Sequence, residues 1–420
     1  MRILHTSDWH LGKMLDNISR IQEQREFADC LCDIAERESI DLVLVAGDIY
    51  DTYNPSAAAE ELFYSTVDRL SAGGRRAVVV IAGNHDSPER LCAAAPMAYK
   101  NGIILLGYPA SDAGIYKWEG GGIRIVRSGS GWLQVSIDGC NENAVIIALA
   151  YPSESRLDQV LSDEADESRL QKAYSDRIGE LISLLSENFR EDTVNLVMGH
   201  MFLRGGKESE SERTLQIGGA LTVDPAVLPK EAHFAAMGHL HRPQRIKDAS
   251  CPAFYSGSPL AYSFSEAGYS KVVYVVDAVP GSQADIKEVL LSCGKPLKKW
   301  EARNGIEQAL AWCEEGRDAN AWIDLDIYTD RVLATEEQKK LRELNPGIIN
   351  IRPVIKTREL EAQSFENREG KKIDELFADY CRFKTGMEIS EELAAAFLDV
   401  INDDQDDESV GGEKLETKIS

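Results

Sequence analysis

Five short clusters of residues that can bind metal ions or move protons each follow an apolar run of the sequence. Each contains a carboxylate, an imidazole or an amide, and they are Asp8-Trp9-His10, Gly47-Asp48, Gly83-Asn84-His85-Asp86, Gly199-His200 and Gly238-His239-Leu240-His241. Oxygen and imidazole donors without thiolates suit a pair of hard or borderline divalent ions. Each motif alone would be an ordinary strand-end turn. The chain has only seven histidines, however, and five of them stand in these clusters, which predicts one two-metal centre.

The donor types also predict how two ions would be shared. Asp48 can bridge ions that stand roughly 3.5 to 4 Å apart, the separation that two-metal hydrolases use. Each ion then needs three further ligands, which we assign as Asp8, His10 and His241 for one and Asn84, His200 and His239 for the other. The imidazole of His85 is left to stabilise the transition state or to protonate a leaving oxygen, with Asp86 orienting its ring. His5 and His233 lie inside predicted strands, where packing or hydrogen bonding is the more common role.

Bringing such distant residues together requires strands that end at a common edge. Apolar runs typical of strands alternate with segments of helical period, giving strands at 2–6, 42–46 and 77–81 and helices at 25–38 and 57–70. Loops that leave the carboxyl ends of strands in an α/β sheet converge on one crevice, so the clusters are expected at one edge of a sheet. A looser alternation predicts a second sheet from residue 122, followed by a helix at 168–188 and strands at 194–198, 233–237 and 270–276.

A chain of 420 residues is long enough for more than one domain. We place a first domain at 1–277 and a smaller α+β domain at 278–360, with strands at 285–291, 321–328 and 348–355 and helices at 306–315 and 335–344. Helical spacing then predicts a helical pair at 371–401, whose apolar stripe contains Ile373, Leu376, Phe377, Tyr380, Leu393 and Phe397. This stripe would pack equally well on the chain's own domains or on a partner helix. The acidic segment 402–420 is expected to be disordered.

Charge and cysteine content limit the function classes. The formal net charge is -24, which counts against binding of a polyanion unless bound cations or a basic partner offset it. The eight cysteines form neither a CxxC pair nor a dense framework, as expected of reduced thiols in the cytoplasm. The first residues are typical of a strand and not of a signal peptide, and no apolar run reaches membrane-spanning length. The sequence therefore predicts a cytoplasmic protein with no membrane partner.

The spacing of the five clusters resembles that of the calcineurin-like metallophosphoesterases, and their neighbours narrow the resemblance to the SbcD family. The stretches that carry it are Leu4-His5-Thr6-Ser7-Asp8-Trp9-His10-Leu11-Gly12, Gly47-Asp48-Ile49-Tyr50-Asp51, Gly83-Asn84-His85-Asp86-Ser87-Pro88 and Gly238-His239-Leu240-His241-Arg242-Pro243. Tyr50 stands where phenylalanine is more usual. The resemblance covers nearly the whole chain. It implies a four-layer α/β/β/α sandwich with a capping domain and a C-terminal helical pair, and the same seven ligands with His85 as the catalytic imidazole.

The resemblance further implies a nuclease with two Mn²⁺ ions, for which Mg²⁺ can substitute. Such nucleases work as a homodimer within a heterotetramer, together with an SbcC-like ATPase of the SMC class that binds the ATP. These complexes degrade double-stranded DNA ends from 3′ to 5′ and open hairpins and single strands, in DNA recombination, repair and replication. The helical pair would dock the partner's coiled coil, and helices at 57–70 and 88–100 would form the homodimer. Basic residues that follow the ligand loops are candidate DNA contacts, namely Arg90, Arg204, Lys207 and Arg242.

Two other functions fit parts of the sequence. A metallophosphatase or small-molecule phosphodiesterase would use the same ligands, but it has no evident need of the long region after His241. A non-catalytic adaptor would keep the ions only to hold the fold, but a complete ligand set beside an unused His85 favours catalysis.

Overall fold

The computed structural model describes residues 1–117, 122–157, 167–209, 212 and 221–355, and the single residues Phe377, Leu393 and Phe397. The chain divides into one unit at Met1–Val354 and another at Ile355–Ser420. In the second unit the rings of Phe377 and Phe397 stack with their centroids 3.7 Å apart. The predicted stripe residues Ile373, Leu376 and Tyr380, and the segment 402–420, lie outside the described residues, so the helical pair and the tail stay predictions.

The first sheet carries the predicted strands of the N-terminal region. Numbered in chain order, its strands are β1 (Arg2–Thr6), β4 (Leu42–Ala46), β5 (Ala77–Ile81), β6 (Ile103–Leu106), β17 (Val272–Asp277) and β18 (Asp285–Leu290). Their spatial order is β18-β17-β1-β4-β5-β6. Strands β1, β4, β5 and β6 are parallel to one another, whereas β17 runs antiparallel to both of its neighbours, β1 and β18. Every residue of β4 and β5 is buried, which is why both strands are continuous apolar runs in the sequence.

The second sheet contains the looser alternation that follows residue 122. Its strands are β7 (Tyr116–Lys117), β8 (Ile123–Gly129), β9 (Trp132–Ile137), β10 (Asn143–Leu149), β11 (Thr193–His200), β14 (Phe234–Gly238), β15 (Gln244–Ile246) and β16 (Ala253–Tyr255). The order is β15-β16-β14-β11-β10-β9-β8-β7. At its centre β10, β11, β14 and β16 are parallel, so this sheet also has several strand ends at one edge. Two short pairs lie outside both sheets, β2 (Met14–Leu15) with β3 (Ile18–Ser19) and β12 (Phe202–Leu203) with β13 (Thr222–Val223).

Helices α1 (Ile21–Arg37), α2 (Ala57–Ser71) and α6 (Glu167–Ser186) pack on the sheets, and shorter helices lie between strands. The shorter helices are α3 (Pro88–Cys92), α4 (Ala95–Ala98) and α5 (Glu154–Leu157), with 3₁₀ turns at Tyr99–Asn101, Pro225–Val227 and Phe264–Glu266. Alternate residues of β11 face different cores: Leu196 and Met198 join the core of the first sheet and helices α1 and α2, whereas Val197 packs with residues of α6. This alternation confirms the four-layer α/β/β/α sandwich.

A third sheet follows the sandwich, with its own core. Its strands are β19 (Leu297–Ala302), β20 (Trp322–Thr329) and β21 (Ile348–Ile355), and its helices are α7 (Ile306–Glu314) and α8 (Thr335–Leu344). Trp300, Ile323 and Leu325 are among its core residues. The strand predicted at 285–291 was placed in this unit wrongly. It is β18 and pairs with β17 along its whole length, so the first sheet continues past residue 277. The boundaries 1–277 and 278–360 otherwise stay predictions. Among the described residues, no helix combines the length and the apolar character needed to cross a membrane.

A buried carboxylate ties α1 to the third sheet. Glu23 accepts hydrogen bonds from the guanidinium of Arg20, from the backbone N–H of Lys295 at 2.6 Å and from the indole of Trp322 at 2.9 Å. Burial alone would raise the pKa of Glu23, but Arg20 and the other donors hold it below its usual value. Arg20 and Glu23 are both buried, so each depends on the other for its charge partner.

Replacing Glu23 by alanine is expected to destabilise the fold strongly. The change strands the buried charge of Arg20, and breaking a buried pair in this way costs about 3–5 kcal/mol. Equilibrium unfolding by urea measures the loss. The matched control is Asp29→Ala, which breaks an exposed pair with Arg69 and is expected to cost less than about 1 kcal/mol. Similar losses for the two variants would contradict the role given to Glu23.

Candidate metal centre

The predicted ligands lie at strand ends of two sheets, not one. Asp8 and His10 follow β1, Asp48 follows β4 and Asn84 follows β5, all in the first sheet. The second sheet contributes His200, the last residue of β11, and the pair after β14 formed by His239 and His241. The prediction of a single sheet edge was therefore wrong. The parallel strands at the centre of each of the two packed sheets end at the same side, so both sheets contribute ligands. All seven side chains are buried.

Several ligand residues have a backbone conformation that residues other than glycine rarely adopt. The φ angle is 53° at Asp8, 45° at His10, 50° at Asp48 and 112° at His239. Backbone hydrogen bonds hold these turns, since Asp8 N–H donates to Gly47 O and His10 N–H donates to Asp48 O, both at 3.0 Å. Left-handed backbone costs free energy and persists where the surroundings fix it, as at binding sites. Here it turns the side chains of successive loops toward one space.

Glycines let the ligand loops approach one another closely. A Cβ atom on Gly47 would overlap the ring of His200, and one on Gly83 would overlap the carboxylate of Asp48. A Cβ on Gly238 would overlap the carbonyl oxygen of Ala46. The glycine in each of these motifs is therefore required by contact with another ligand loop, in addition to the freedom it gives the turn.

The first group of donors surrounds His10. Its Nε2 lies 2.9 Å from Nε2 of His241 and 3.7 Å from Oδ2 of Asp48. Asp8, His10 and His241 each offer a ligand atom within 4.8 Å of the others. The structure therefore brings together the three residues assigned to one ion.

The second group surrounds Asn84. Its Oδ1 lies 2.9 Å from Nε2 of His200 and 3.1 Å from Nδ1 of His239. Asp48 Oδ2 is 3.4 Å from the same His200 nitrogen, so this carboxylate lies between the two groups, as a bridging ligand must. Asp8 is also within 4.8 Å of both Asp48 and His200.

The charges of this cluster suit divalent cations. Burial lowers the pKa of His10 well below its usual value and that of His239 to about 3, so both rings are neutral, the form that binds metal. Burial also raises the pKa of Asp8 to about 6. Although burial opposes it, Asp48 raises the pKa of His200 to about 9. Nε2 of His10 and Nε2 of His241 face each other at 2.9 Å. A cation at this place would be bound by both nitrogens.

Further side chains hold the ligands in place. The Nδ1–H of His200 donates to Ala46 O at 2.9 Å, which leaves Nε2 for a metal, and the hydroxyl of Ser7 donates to Asp8 Oδ2 at 2.6 Å. Glu266 lies 3.9 Å from Nδ1 of His241 and forms a buried ion pair with Lys271. Such outer contacts fix the orientation of metal ligands. Sequence reasoning missed Glu266 and Lys271, because no sequence pattern links them to the ligand motifs.

His85 lies beside the ligands, but its predicted partner was wrong. Its backbone N–H donates to Asp48 Oδ1 at 2.8 Å, and its Nδ1 donates to the carbonyl oxygen of Asp51 at 2.7 Å. Asp86 instead accepts hydrogen bonds from the backbone N–H groups of Gly83, Ile49 and Tyr50 at 2.8 to 3.1 Å. The carboxylate therefore points back under the loops, where it fixes the turn that carries Asp48, and the backbone of Asp51 orients the His85 ring.

Comparison with known proteins gives the family. The pattern described as calcineurin-like phosphoesterase matches residues 1–243, and the one described as type 5 capsule protein repressor C-terminal domain matches residues 293–385. The chain is similar to a Bacillus subtilis protein named as the D component of nuclease SbcCD, with 45% identity over 95% of this chain and 97% of the relative. A Staphylococcus epidermidis protein of the same name is 28% identical over 89% of this chain and 90% of the relative.

The chain belongs to the SbcD family of calcineurin-like phosphoesterases. The fold and the family inferred from the sequence are thereby confirmed. All seven residues of the ligand cluster, from Asp8 to His241, lie within the matched residues 1–243, and the chain is a phosphoesterase.

The candidate DNA contacts of this phosphoesterase have different surroundings. Arg90 pairs with Glu60 and Arg204 pairs with Asp224, both at the surface. Lys207 is fixed through its backbone N–H, which donates to Gln244, and Arg242 lies over the ring of Tyr269. None of these contacts tests DNA binding, so all four residues stay predictions.

The two remaining histidines have the structural roles expected. His5 is fully buried in β1, with Nε2 3.2 Å from Met237 O, and His233 accepts a hydrogen bond from the backbone N–H of Asn195 at 3.0 Å. Neither contributes a ligand atom to the cluster around Asp48.

Replacing Asp48 by asparagine is expected to weaken both metal sites together, because its carboxylate lies between the two groups of donors and an amide lacks the charge. Calorimetric titration with Mn²⁺ measures the two affinities. The matched control is Asp192→Asn, which changes an exposed aspartate paired with Arg190 and should leave the titration unchanged. Two unaltered sites in the Asp48 variant would refute the bridging role.

Proposed function

We propose that this phosphoesterase is a DNA nuclease, the nuclease component of an SbcCD-type complex, and that it hydrolyses phosphodiesters with two divalent cations. The observation that carries the proposal is the buried cluster of two aspartates, one asparagine and four histidines with His85 beside it. Relatives named as components of a nuclease, similar over nearly the whole chain, support DNA as the substrate class.

The donor set favours Mn²⁺, with Mg²⁺ as a substitute. Carboxylate and amide oxygens suit both ions, whereas four imidazoles suit a more borderline metal than Mg²⁺. When bound, two such cations supply a clamp for the attacking and leaving oxygens and lower the pKa of water. Asp8, His10 and His241 would hold one of them and Asn84, His200 and His239 the other, with Asp48 between.

We assign His85 the role of acting on the substrate. Its Nδ1 is committed to the carbonyl oxygen of Asp51, so Nε2 is the ring nitrogen available to the phosphate. A proton held there stabilises negative charge on a phosphoryl oxygen or passes to the leaving alkoxide. The neighbouring ring of His10 lies 4.8 Å away, centroid to centroid, in an edge-on arrangement, which keeps His85 beside the ligands.

His85→Ala is expected to abolish phosphodiester cleavage while both metals still bind, because the ring is not among the proposed ligands. Single-turnover cleavage of a duplex with Mn²⁺ measures the first effect, and calorimetric titration with Mn²⁺ the second. The control is His233→Ala, which removes an imidazole outside the cluster and should retain cleavage. An His85 variant that cuts at the normal rate would refute the assigned role.

The rest of the proposal concerns the partner and the reaction on DNA. We infer that the chain works as a homodimer with an SbcC-like SMC-class ATPase, which binds the ATP, and that it acts in the cytoplasm in DNA recombination, repair and replication. The activity proposed is a 3′ to 5′ exonuclease on double-stranded ends and an endonuclease on hairpins and single strands. The helical pair at 371–401 is the proposed docking segment for the ATPase.

Coexpression with an SbcC-like ATPase tests this assembly. A pull-down through the ATPase is expected to recover the full chain, and ATP is expected to stimulate cleavage of linear duplex in Mn²⁺ by the recovered complex. A second variant replaces Phe377 and Phe397 by aspartate. It should no longer be recovered with the ATPase, while its first unit, Met1–Val354, stays intact. Full recovery of that variant would place the docking surface elsewhere.

A small-molecule phosphodiesterase or phosphatase is the second candidate, because the same two-metal cluster would serve it. The region matched at residues 293–385 favours the nuclease, since it extends far beyond the ligands and the similarity to relatives named as nuclease components includes it. Incubation with Mn²⁺ and either linear duplex or a small phosphodiester separates the two. Cleavage of the small substrate alone would remove the nuclease.

A further inference from the structure

Arg156 reaches the site from the second sheet, although no ligand motif contains it. It belongs to the short helix α5, which follows β10, and it is half-buried. Its Nη1 donates to the carbonyl oxygen of Gly83 at 2.7 Å, and its Nη2 donates to that of Asp86, also at 2.7 Å. The two residues enclosed between these carbonyls are Asn84 and His85. One guanidinium thus fixes both ends of the loop that presents a proposed ligand and the proposed catalytic imidazole.

The same guanidinium also contacts the neighbouring loop. Nη2 of Arg156 donates to the hydroxyl of Tyr53 at 3.0 Å. Tyr53 stands two residues after Asp51, whose carbonyl oxygen accepts the hydrogen bond from the His85 ring. Arg156 therefore connects the loop that carries His85 to the loop that orients its imidazole.

The location of the guanidinium is itself fixed. It lies 5.5 Å from the ring centroid of Tyr151, and the backbone N–H of Tyr151 donates to Ala82 O at 2.9 Å. The other side of this loop is held by Asp86, whose carboxylate binds the N–H groups of Gly83 and of the Asp48 turn. The Gly83–Asp86 turn is thus held through its N–H groups on one side and through its carbonyls on the other.

Arginine is suited to this task in a way that lysine is not. Its planar guanidinium presents several N–H donors in a fixed arrangement and can meet two carbonyl oxygens at once, whereas an ammonium is a compact charge on a flexible chain. Among the described residues no carboxylate lies within ion-pair distance of Arg156, so its hydrogen bonds go to neutral oxygens and its orientation follows from the backbone of the ligand loops.

We propose that Arg156 is a positioning residue for phosphodiester cleavage, which sets the Asn84 amide toward the second metal and the His85 ring toward the phosphate. This inference rests on the proposed function, since it assigns Arg156 a task in that reaction. It acts through Asn84 and His85 and touches neither substrate nor metal. Oδ1 of Asn84 lies 2.9 Å from His200 and 3.1 Å from His239, so a shift of this loop would change both distances.

The test compares Arg156→Ala, Arg156→Lys and Tyr53→Phe in the full chain. Mn²⁺ titration by calorimetry reports the two metal affinities, and steady-state cleavage of a small phosphodiester reports kcat and KM separately. For Arg156→Ala we expect one Mn²⁺ affinity to fall about 10- to 100-fold, as for other residues that orient metal ligands. We expect kcat to fall at least as far, with KM unchanged. Tyr53→Phe keeps both carbonyl contacts and should retain both Mn²⁺ affinities with a smaller loss of kcat.

Arg156→Lys separates geometry from charge and keeps the test decisive should the alanine variant fail to fold. It retains the positive charge but cannot reproduce the two-carbonyl contact, so it should lose kcat and one Mn²⁺ affinity to an intermediate extent. A lysine variant equal to the original protein would overturn the proposal. The control is Arg190→Ala, an exposed arginine paired with Asp192, which should leave all readouts unchanged.

Other outcomes also overturn the proposal and identify what replaces it. A lower melting temperature with normal kcat and Mn²⁺ binding in the folded protein would mean a merely structural role. A raised KM with normal kcat and Mn²⁺ binding would mean direct contact with the phosphate. If the original chain cleaves no phosphodiester, the proposed function fails, whereas the Mn²⁺ titration of the Arg156 variants still decides whether this residue positions the ligand loop.

Discussion

Many ionisable side chains are buried close together where the ends of the two sheets meet, and the rest of this structure depends on that constraint. Asp8, Asp48, His10, His200 and His241 are buried there in groups whose ligand atoms lie within 4.8 Å of one another, and His239 lies 3.1 Å from the Asn84 amide oxygen. Buried ionisable groups are costly unless opposite charge compensates them. The glycines at 47, 83 and 238 lie in contact with those groups, because any side chain there would overlap a ligand or its loop. Divalent cations are the species that turn this crowding into favourable contacts.

Holding such a cluster requires loops that do not relax. The left-handed backbone at Asp8, Asp48 and His239 is held by hydrogen bonds between the ligand loops, such as Asp8 N–H to Gly47 O and His239 N–H to Oδ1 of Asp8, and strain persists at functional sites where the surroundings fix it. The carboxylate of Asp86 contributes to this in the first sheet, because it accepts hydrogen bonds from three backbone N–H groups of two loops. A site of this kind is preorganised by hydrogen bonds from backbone groups, and the sequence of the motif does not show which backbone groups take part.

The sequence predicted elements well where periodicity was strong. The strands at Arg2–Thr6 and Ala77–Ile81 and the helix at Thr335–Leu344 have the predicted bounds, since buried parallel strands are continuous apolar runs and an amphipathic helix repeats its pattern. The three-residue strands Gln244–Ile246 and Ala253–Tyr255 were missed, because three residues show no period. Leu297–Ala302 was missed because only three of its six residues are buried. Helix α1 begins four residues earlier than predicted, at Ile21, where no side-chain cap marks its start.

The same limit applies to the site. The ligand types and the strand-end positions followed from the motifs, since each motif is local. The contributions of Glu266, Lys271 and Arg156 did not, because they depend on which strands of two sheets end together. The partner of Asp86 was assigned wrongly for a related reason: sequence adjacency suggested His85, whereas a buried carboxylate goes to the unpaired N–H groups of a tight turn.

The acidity of the chain is compatible with a polyanionic substrate when its distribution is considered. The segment 402–420 holds seven acidic and two basic residues, so −5 of the net charge of −24 stands there, far in sequence from the ligands. Charges at the surface are screened beyond about 8 Å at physiological salt, so net charge governs the field near the site less than local groups do. Arg90 and Arg204 are compensated by carboxylates, and a phosphate would have to replace those partners. Arg156 has no carboxylate partner within ion-pair distance among the described residues, and its guanidinium binds the carbonyl oxygens on both sides of Asn84 and His85. The electrostatic potential beside His85 therefore depends on the groups that surround it more than on the formal charge of the whole chain.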